Sequence, residues 1–338
     1  MDSFHRWFRR TLTPKAGFPC KYTSADVALL AEIDTLHQGL SGPATRHLLQ
    51  RAVAVFDDQR FSRLSHISVA HLYNLRATSA YKKIRVHFTK TRGKPNIIGI
   101  RKAPRPDGRP GYIRIDSVHQ GDEDGVKGVY YINAVDCVTQ WEIVACCEKI
   151  SEAYLLPVIE AMLNQFPFKI LGFHADNGSE YINYQVAGLL NKLNIELTKS
   201  RPRHSNDNAL IETKNGVVIR KAFGYSHIPQ RFASLINEFC QTHFVPYLNF
   251  HRPCLFAVEE MNKKGKIVRV YPQEQVMTPW EKLSSLPNVK DCLRDGVSYE
   301  ALKAQALSQT DSEAAAAMNV AQRELFNLIT RSTKRKAA

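Results

Sequence analysis

The chain is short of several things, and each absence excludes a class. Its seven cysteines form no C-x-x-C pair, and only Cys146 and Cys147 are adjacent. That spacing argues against a structural zinc module and predicts reduced, buried thiols in a cytosolic compartment. No stretch approaches eighteen consecutive apolar residues, and Arg6, Arg9 and Arg10 are not followed by the apolar core of a signal peptide. Nothing here is expected to enter or cross a membrane. No G-x-G-x-x-G occurs, which removes the dinucleotide-binding pattern. Acid is scarce as well: 46 lysines and arginines face 32 carboxylates, and the eleven basic residues from Arg76 to Arg109 meet only Asp107. Such a block suits a polyanion, so a nucleic acid is the expected partner.

What is present divides in two. A length of 338 residues, 44% apolar, allows two or three domains with a core each. Ser24, Ala25 and Asp26 offer capping chemistry before Val27, Leu29, Leu30, Ile33 and Leu36, which repeat at helical spacing. A second helix is expected from about Pro43, a favourable first-turn residue, through Leu48, Leu49, Ala52, Val53 and Phe56. In "FSRLSHISVAHLYNLR" (61–76), a break around Ser65 and His66 separates a short helix from one led by Ser68. The second helix would turn Val69, Leu72 and Leu75 inward and His71, Asn74 and Arg76 outward. This is the pattern of a helix-turn-helix, whose second helix enters a major groove. Asn74 and Arg76 are the expected base readers, and Lys82, Lys83 and Arg85 the expected phosphate contacts. Residues 91–110, rich in Pro, Gly and charge, read as a basic linker after a helical domain at 1–90.

Beyond the linker the pattern becomes α/β. Strands are expected at 112–116, 127–138 and 140–148, with a hairpin turn from Asp136 to Thr139. Leu155, Val158, Ile159, Met162, Leu163 and Phe166 mark one helix face, with Pro157 in its first turn or at a kink. A fourth strand at 169–176, a helix from Glu180 to Leu193, a short strand from Ile195 to Thr198 and helices at 208–223 and 230–248 complete the core at 111–255. That order predicts a five-stranded mixed sheet flanked by helices. Residues 256–338 read as a basic hairpin, a helix start at "TPWEKL" and one Ala-rich amphipathic helix from Ser298 to Ile329. The N-terminal and core parts are expected to be separable.

Three acids stand out: Asp116 and Asp176, ending the first and fourth expected strands, and Glu212 in the helix after the basic loop "SRPRHSNDN". In such a sheet the first and fourth strands are neighbours, and the late helix packs across their ends. Three carboxylates brought together need cations to offset them, and hard Mg²⁺ or Mn²⁺ suits an all-oxygen set. Two such ions about 3.5–4 Å apart polarise the attacking and leaving oxygens of a phosphodiester. His174, two residues before Asp176, either positions a water or phosphate or is a hydrogen-bonded histidine at the strand end. Asn177 either only shapes the loop or also touches DNA, and Asn208 is the best cap for the helix that follows.

Asp116, the run Asp176-Asn177-Gly178 and Glu212 resemble the DDE triad of the retroviral integrase superfamily, which includes many bacterial insertion-sequence transposases. "RPRHSNDNALIE" (201–212) is similar to the basic, Asn-rich run those transposases carry before the glutamate, and "LNFHRP" (248–253) to their "YN-x-x-RPH" element. The resemblance covers about residues 110 to 255. It implies a ribonuclease H-like catalytic core behind a helix-turn-helix domain. It also implies a transposase that cuts double-stranded DNA at element ends and joins them to a target, acting as a homo-oligomer with two Mg²⁺ or Mn²⁺ ions and associated with the nucleoid. Asp116, Asp176 and Glu212 would be both catalytic and metal-binding. Many members carry a Lys or Arg seven residues after the glutamate, where this chain has Ile219. Arg220 and Lys214 are therefore the DNA-contact candidates there, with Arg201 and Arg203 in the basic loop. His66 and His71 have no C-x-x-C to join, so no structural zinc is expected. The rival readings are a nuclease of the same fold that only hydrolyses and a DNA-binding regulator with an inactive core.

Overall fold

The computed structural model describes residues 21–85, 106–175, 195–199, 209–262 and 265–337. Four helices come first: α1 (Ser24–Leu36), α2 (Gly42–Ala54), α3 (Val69–Ala77) and α4 (Ser79–Ile84). Thr23 opens α1 with a capping box to Asp26, Ser41 caps α2, and Ser68 caps α3 by accepting from the amide of His71. Two short 3₁₀ turns, Gln59–Phe61 and Leu64–His66, replace the short helix expected before α3. Leu30, Leu49, Phe61, Leu64, Leu72 and Tyr81 meet in a small core between these helices.

One expectation fails inside this core. Arg76 is not outward but 7% exposed, and its guanidinium grips Asp34 of α1 through two hydrogen bonds. The same guanidinium donates to Leu40 O and Thr45 Oγ1, and the Tyr81 hydroxyl donates to Asp34 Oδ2 at 2.6 Å. A buried bidentate pair with further hydrogen bonds to Leu40, Thr45 and Tyr81 ties all four helices together. Leu72 and Leu75 are buried as expected, and Asn74 is exposed.

The core is a five-stranded sheet in the order β5-β4-β1-β6-β7. Its strands are β1 (Tyr112–His119), β4 (Tyr130–Asp136), β5 (Glu142–Cys147), β6 (Gly172–Ala175) and β7 (Glu196–Lys199); β2 (Asp122–Glu123) and β3 (Val126–Lys127) form a small hairpin outside it. β4 runs antiparallel to β1 and β5, whereas β6 and β7 run parallel to β1. This is the ribonuclease H-like arrangement. The β4–β5 turn is built by Asp136, whose carboxylate accepts from the amides of Gly111, Val138 and Thr139 and from the Thr139 hydroxyl. β1 continues three residues past Asp116, which therefore lies within the strand rather than at its end.

Helix α5 (Glu152–Leu163) carries Pro157 inside and buries Leu155, Ile159 and Met162 on the sheet. The helix expected at 180–193 lies outside the described residues. A helical stretch from Ala209 to Phe223 follows, widened into π turns over Asn215–Ile219. Another begins at Gln230 and reaches His251 through two further π segments. A small β8–β11 pair (Cys254–Leu255 with Val276–Met277) and the hairpin β9–β10 (Val258–Met261 with Ile267–Val270) come next. The expected C-terminal helix is two, Tyr299–Ala306 and Asp311–Ala337, because Thr310 and Glu313 form a reciprocal cap that starts the second. Trp280, Leu283, Ala315, Met318, Leu325 and Ile329 bury themselves in the same core as the sheet. Among the described residues no helix is long and apolar enough to cross a membrane.

Candidate active site

Strand alternation puts Arg114 and Asp116 on one face of β1, and the ladders place Asn133 beside Asp116 and His174 beside Arg114. Asp116 is half-buried. Its Oδ1 accepts from the amide of Ser117 at 2.8 Å, and its Oδ2 accepts from Asn215 Nδ2 at 2.6 Å. The carbonyl oxygen of Asn215 in turn accepts from Asn133 Nδ2 at 3.0 Å. Asn215 therefore links β1, β4 and the helix Ala209–Lys214 at a single point.

Glu212 lies three residues before Asn215 on that helix and is exposed. Residues at this spacing share a helix face, with Cβ atoms about 5–6 Å apart. The bond between Asn215 and Asp116 thus brings the face carrying Glu212 against the strand carrying Asp116. One carboxylate is half-buried and oriented; the other faces solvent. Asp176 follows Ala175 in sequence and lies outside the described residues, as do Asn177, Arg201, Arg203 and Asn208. Among the described residues, no three His, Cys, Asp or Glu side chains gather closely enough to hold a metal ion. Asp116 and Glu212 are acceptor-only oxygen donors when ionised, which is the donor chemistry a hard dication takes.

The other candidates divide by burial. Lys214 is 4% exposed, with Nζ 3.1 Å from Glu142 Oε2 and 3.2 Å from Cys254 Sγ. Burial alone would lower the pKa of its ammonium, but the neighbouring Cys254 and Glu142 outweigh this and leave it above the ordinary lysine value. Arg220 is half-buried and donates to the carbonyls of His119 and Gly224 and to Gln120 Oε1. It fastens the end of β1 to the end of the helix, and burial holds its pKa below the usual arginine value. Lys82 and Lys83 are exposed on α4, and Arg85 is half-buried. His174 is buried, with Nδ1 2.9 Å from Thr198 Oγ1.

The "LNFHRP" element clamps the same region. Asn249 accepts from the amide of Glu142 and donates to its carbonyl, at 2.7 and 2.8 Å, pairing like a strand residue with the edge of β5. Arg252 donates to Val217 O in the widened turn after Glu212. His251 Nδ1 lies 2.9 Å from Asp311 Oδ1 of the C-terminal helix. These residues hold the glutamate-bearing helix to the sheet from behind.

No family model matches this chain. Over 123 residues it is 28% identical to an uncharacterized protein, y4rM, of Sinorhizobium fredii (strain NBRC 101917 / NGR234), covering 36% of this chain and 35% of that protein. The match therefore spans about a third of the curated relative's length. Among solved structures, the HTLV-2 integrase catalytic core domain, in complex with magnesium and in a trimeric form, is similar at 17% identity and a TM-score of 0.33, covering 51% of this chain and 96% of that one. The BIV integrase catalytic core domain is similar at 16% identity and a TM-score of 0.31, covering 51% and 91%.

Proposed function

We propose that the chain is a metal-dependent DNA transposase of the DDE class, a polynucleotidyl transferase. The observation that carries this reading is the 2.6 Å hydrogen bond between Asn215 Nδ2 and Asp116 Oδ2, which draws the helix of Glu212 onto the strand of Asp116. Asp176 is the third carboxylate of this reading. Ile115 and Ala175 are parallel neighbours on β1 and β6, and Asp116 and Asp176 are the residues that follow them in sequence. Asp116, Asp176 and Glu212 would hold two Mg²⁺ or Mn²⁺ ions. When bound, these supply charge neutralisation and Lewis acidity for in-line displacement at phosphorus.

The chain's own residues orient and bind. Asn215 and the Ser117 amide fix the Asp116 carboxylate so that it need not reorganise when DNA arrives. In the first step water attacks the phosphorus at the element's end. The bond to the 3′ oxygen breaks, and that oxygen leaves as a 3′-hydroxyl. In the second step this hydroxyl attacks a target phosphodiester and displaces the target's own 3′ oxygen. No serine, cysteine or tyrosine of the chain serves as a nucleophile. Asn74 on α3 would read bases, and Lys82 and Lys83 would meet phosphates, with residues 1–90 acting as a helix-turn-helix domain. Arg76 and Lys214 are committed to buried partners and carry no DNA contact in this reading. A homo-oligomer on the two ends is the working form.

The test is to incubate the purified full chain with labelled duplexes bearing the terminal repeats that flank its gene, in Mg²⁺. The expected products are 3′-hydroxyl ends followed by strands joined to a second duplex. Cut ends without joined strands would favour a nuclease. No metal-dependent product of either kind would overturn the reading.

A further inference from the structure

A cleft of about 640 Å³ opens on the sheet face opposite Asp116, lined by Ser117, Lys127, Tyr130, Lys149, Ser151 and Gln230. Ser117 follows Asp116 on β1, so alternation sends its side chain to the other face. Tyr130 is its near neighbour across the ladder and is held by stacking on His119, with ring centroids 4.7 Å apart. β1 and β5 both run antiparallel to β4 and finish at the same end of the sheet, toward which β6 also runs. The cleft lies at that end. Its far wall exists because residue 128 is glycine: a Cβ there would stand 2.2 Å from Gln120 O. Gly128 can therefore bridge to Pro229, which brings Gln230 to the rim.

The charged side chains that line the cleft are both lysines. Lys127 and Lys149 are exposed, and neither forms an ion pair among the described residues. Two carboxylates stand nearby: Asp122, opposite Lys127 in the β2–β3 ladder, has Oδ1 3.1 Å from His119 Nε2, and Glu123 Oε2 lies 3.0 Å from His227 Nδ1. Lys149 Nζ sits 5.7 Å over the ring of Tyr154. Ser151 stands at the N-cap of the twelve-residue α5, yet its hydroxyl makes no capping bond. Two ammonium groups, two hydroxyls and a helix start thus converge on one open cleft, and this is the chemistry that receives phosphodiesters.

We infer that this cleft is a second DNA-backbone site, which seats phosphates flanking the reacting bond as the duplex rounds the end of the sheet. It rests on the reading of the chain as a DNA enzyme and adds a track that the carboxylate site does not contain. Lys127 and Lys149 each neutralise one phosphate, and Ser117 and Ser151 donate to the phosphate oxygens.

The experiment measures binding of the full chain to a fluorescent duplex across a salt series in Ca²⁺. For Lys127→Ala/Lys149→Ala the slope of log affinity against log salt is expected to shallow by about two, one for each lysine removed. Lys127→Arg/Lys149→Arg should keep the wild-type slope, as should Lys169→Ala/Lys290→Ala, whose lysines pair with Asp295 and Glu300. Thermal melting of each variant checks that the fold is intact. Wild-type binding with an unchanged slope in the Lys127→Ala/Lys149→Ala variant would overturn the cleft and leave the proposed function standing. No DNA binding by the wild type would overturn both. Inorganic pyrophosphate displacing DNA from the wild type but not from the alanine variant would show a free-anion pocket and would overturn the DNA assignment.

Discussion

Asp116 and Glu212 differ in how tightly they are held, yet as proposed metal ligands they should answer alike to loss of charge. Asp116→Asn, Asp176→Asn and Glu212→Gln each remove a charged donor at constant size. All three are expected to abolish cleavage and joining in Mg²⁺ while leaving duplex binding in Ca²⁺ nearly unchanged. Wild-type joining by any one of them would remove that residue from the site. Asn215→Ala leaves the three carboxylates in place but frees one oxygen of Asp116 from its partner. Outer partners of metal-site ligands typically matter by about 10–100-fold, so the Mg²⁺ concentration for half-maximal cleavage should rise by about that factor with DNA binding unaltered. Asn215 was not legible as a site residue, because Asn-Gly ordinarily marks a turn, whereas here it opens a widened helical turn facing β1. Arg76 lies on the apolar stripe of its helix, but its charge argues for an outward side chain. Residues 69, 72 and 76 fall on one helical stripe, and the partner that makes burial tolerable, Asp34, is 42 residues away.

At the scale of elements, the sequence displayed the sheet more plainly than the supports behind it. Alternation and turn chemistry located β1, β4, β5 and the Asp136 turn, because those signals are local. The pairing of Asn249 with the edge of β5, and of Lys214 with Glu142, is set by tertiary packing across 107 and 72 residues of chain, which no local pattern encodes. Both members of the Lys214–Glu142 pair are almost fully buried. Lys214→Met would leave the Glu142 carboxylate alone in the core and is expected to destabilise the fold by about 3–5 kcal/mol, read as a lower denaturation midpoint. The salt slope of DNA binding should stay at the wild-type value; a shallower slope would return Lys214 to the DNA-contact set. The start of the last helix was also within reach of the sequence, since Thr310-x-x-Glu313 is a capping box. The Ala-rich periodicity on both sides of it hides that start, because it reads as one continuous amphipathic helix. Thr310→Ala should lower stability by about 1 kcal/mol and fray the helix there.

Across the whole molecule, the N-terminal helices and the core are joined by a buried polar seam, which bears on whether they can be separated. Arg51 of α2 donates from Nε and Nη2 to both carboxylate oxygens of Asp311 and from Nη1 to Glu281 Oε1, while His47 Nε2 lies 2.8 Å from Glu281 Oε2. His251 reaches Asp311 from the core, and Leu40, Ala44 and Leu48 pack on Val276. A core fragment starting near Arg109 would keep these carboxylates and lose their arginine. The seam also carries a pH dependence. His37, at the end of α1, is buried, with Nδ1 2.8 Å from the Tyr247 hydroxyl; burial pushes its pKa down to about 4, against an opposing pull from Asp311. A depressed histidine favours the fold while neutral. Its contribution is whole above the unfolded value of about 6.5 and is lost as pH falls through about 4, a span worth about 3 kcal/mol. Glu281 is held at about 2: burial would raise it, but His47 and Arg51 prevail. Its contribution is present above the ordinary glutamate value of 4.5 and fades only as pH falls through about 2. The His37 contact should therefore weaken before the Glu281 bridge. Melting curves of wild type and His37→Gln from pH 7 to 4 separate the two, because glutamine keeps a hydrogen-bonding group toward Tyr247 but does not titrate. The wild type should lose about 3 kcal/mol more than the variant over that range. Parallel loss in both would show that the acid sensitivity lies elsewhere than at the junction of α1 with the core.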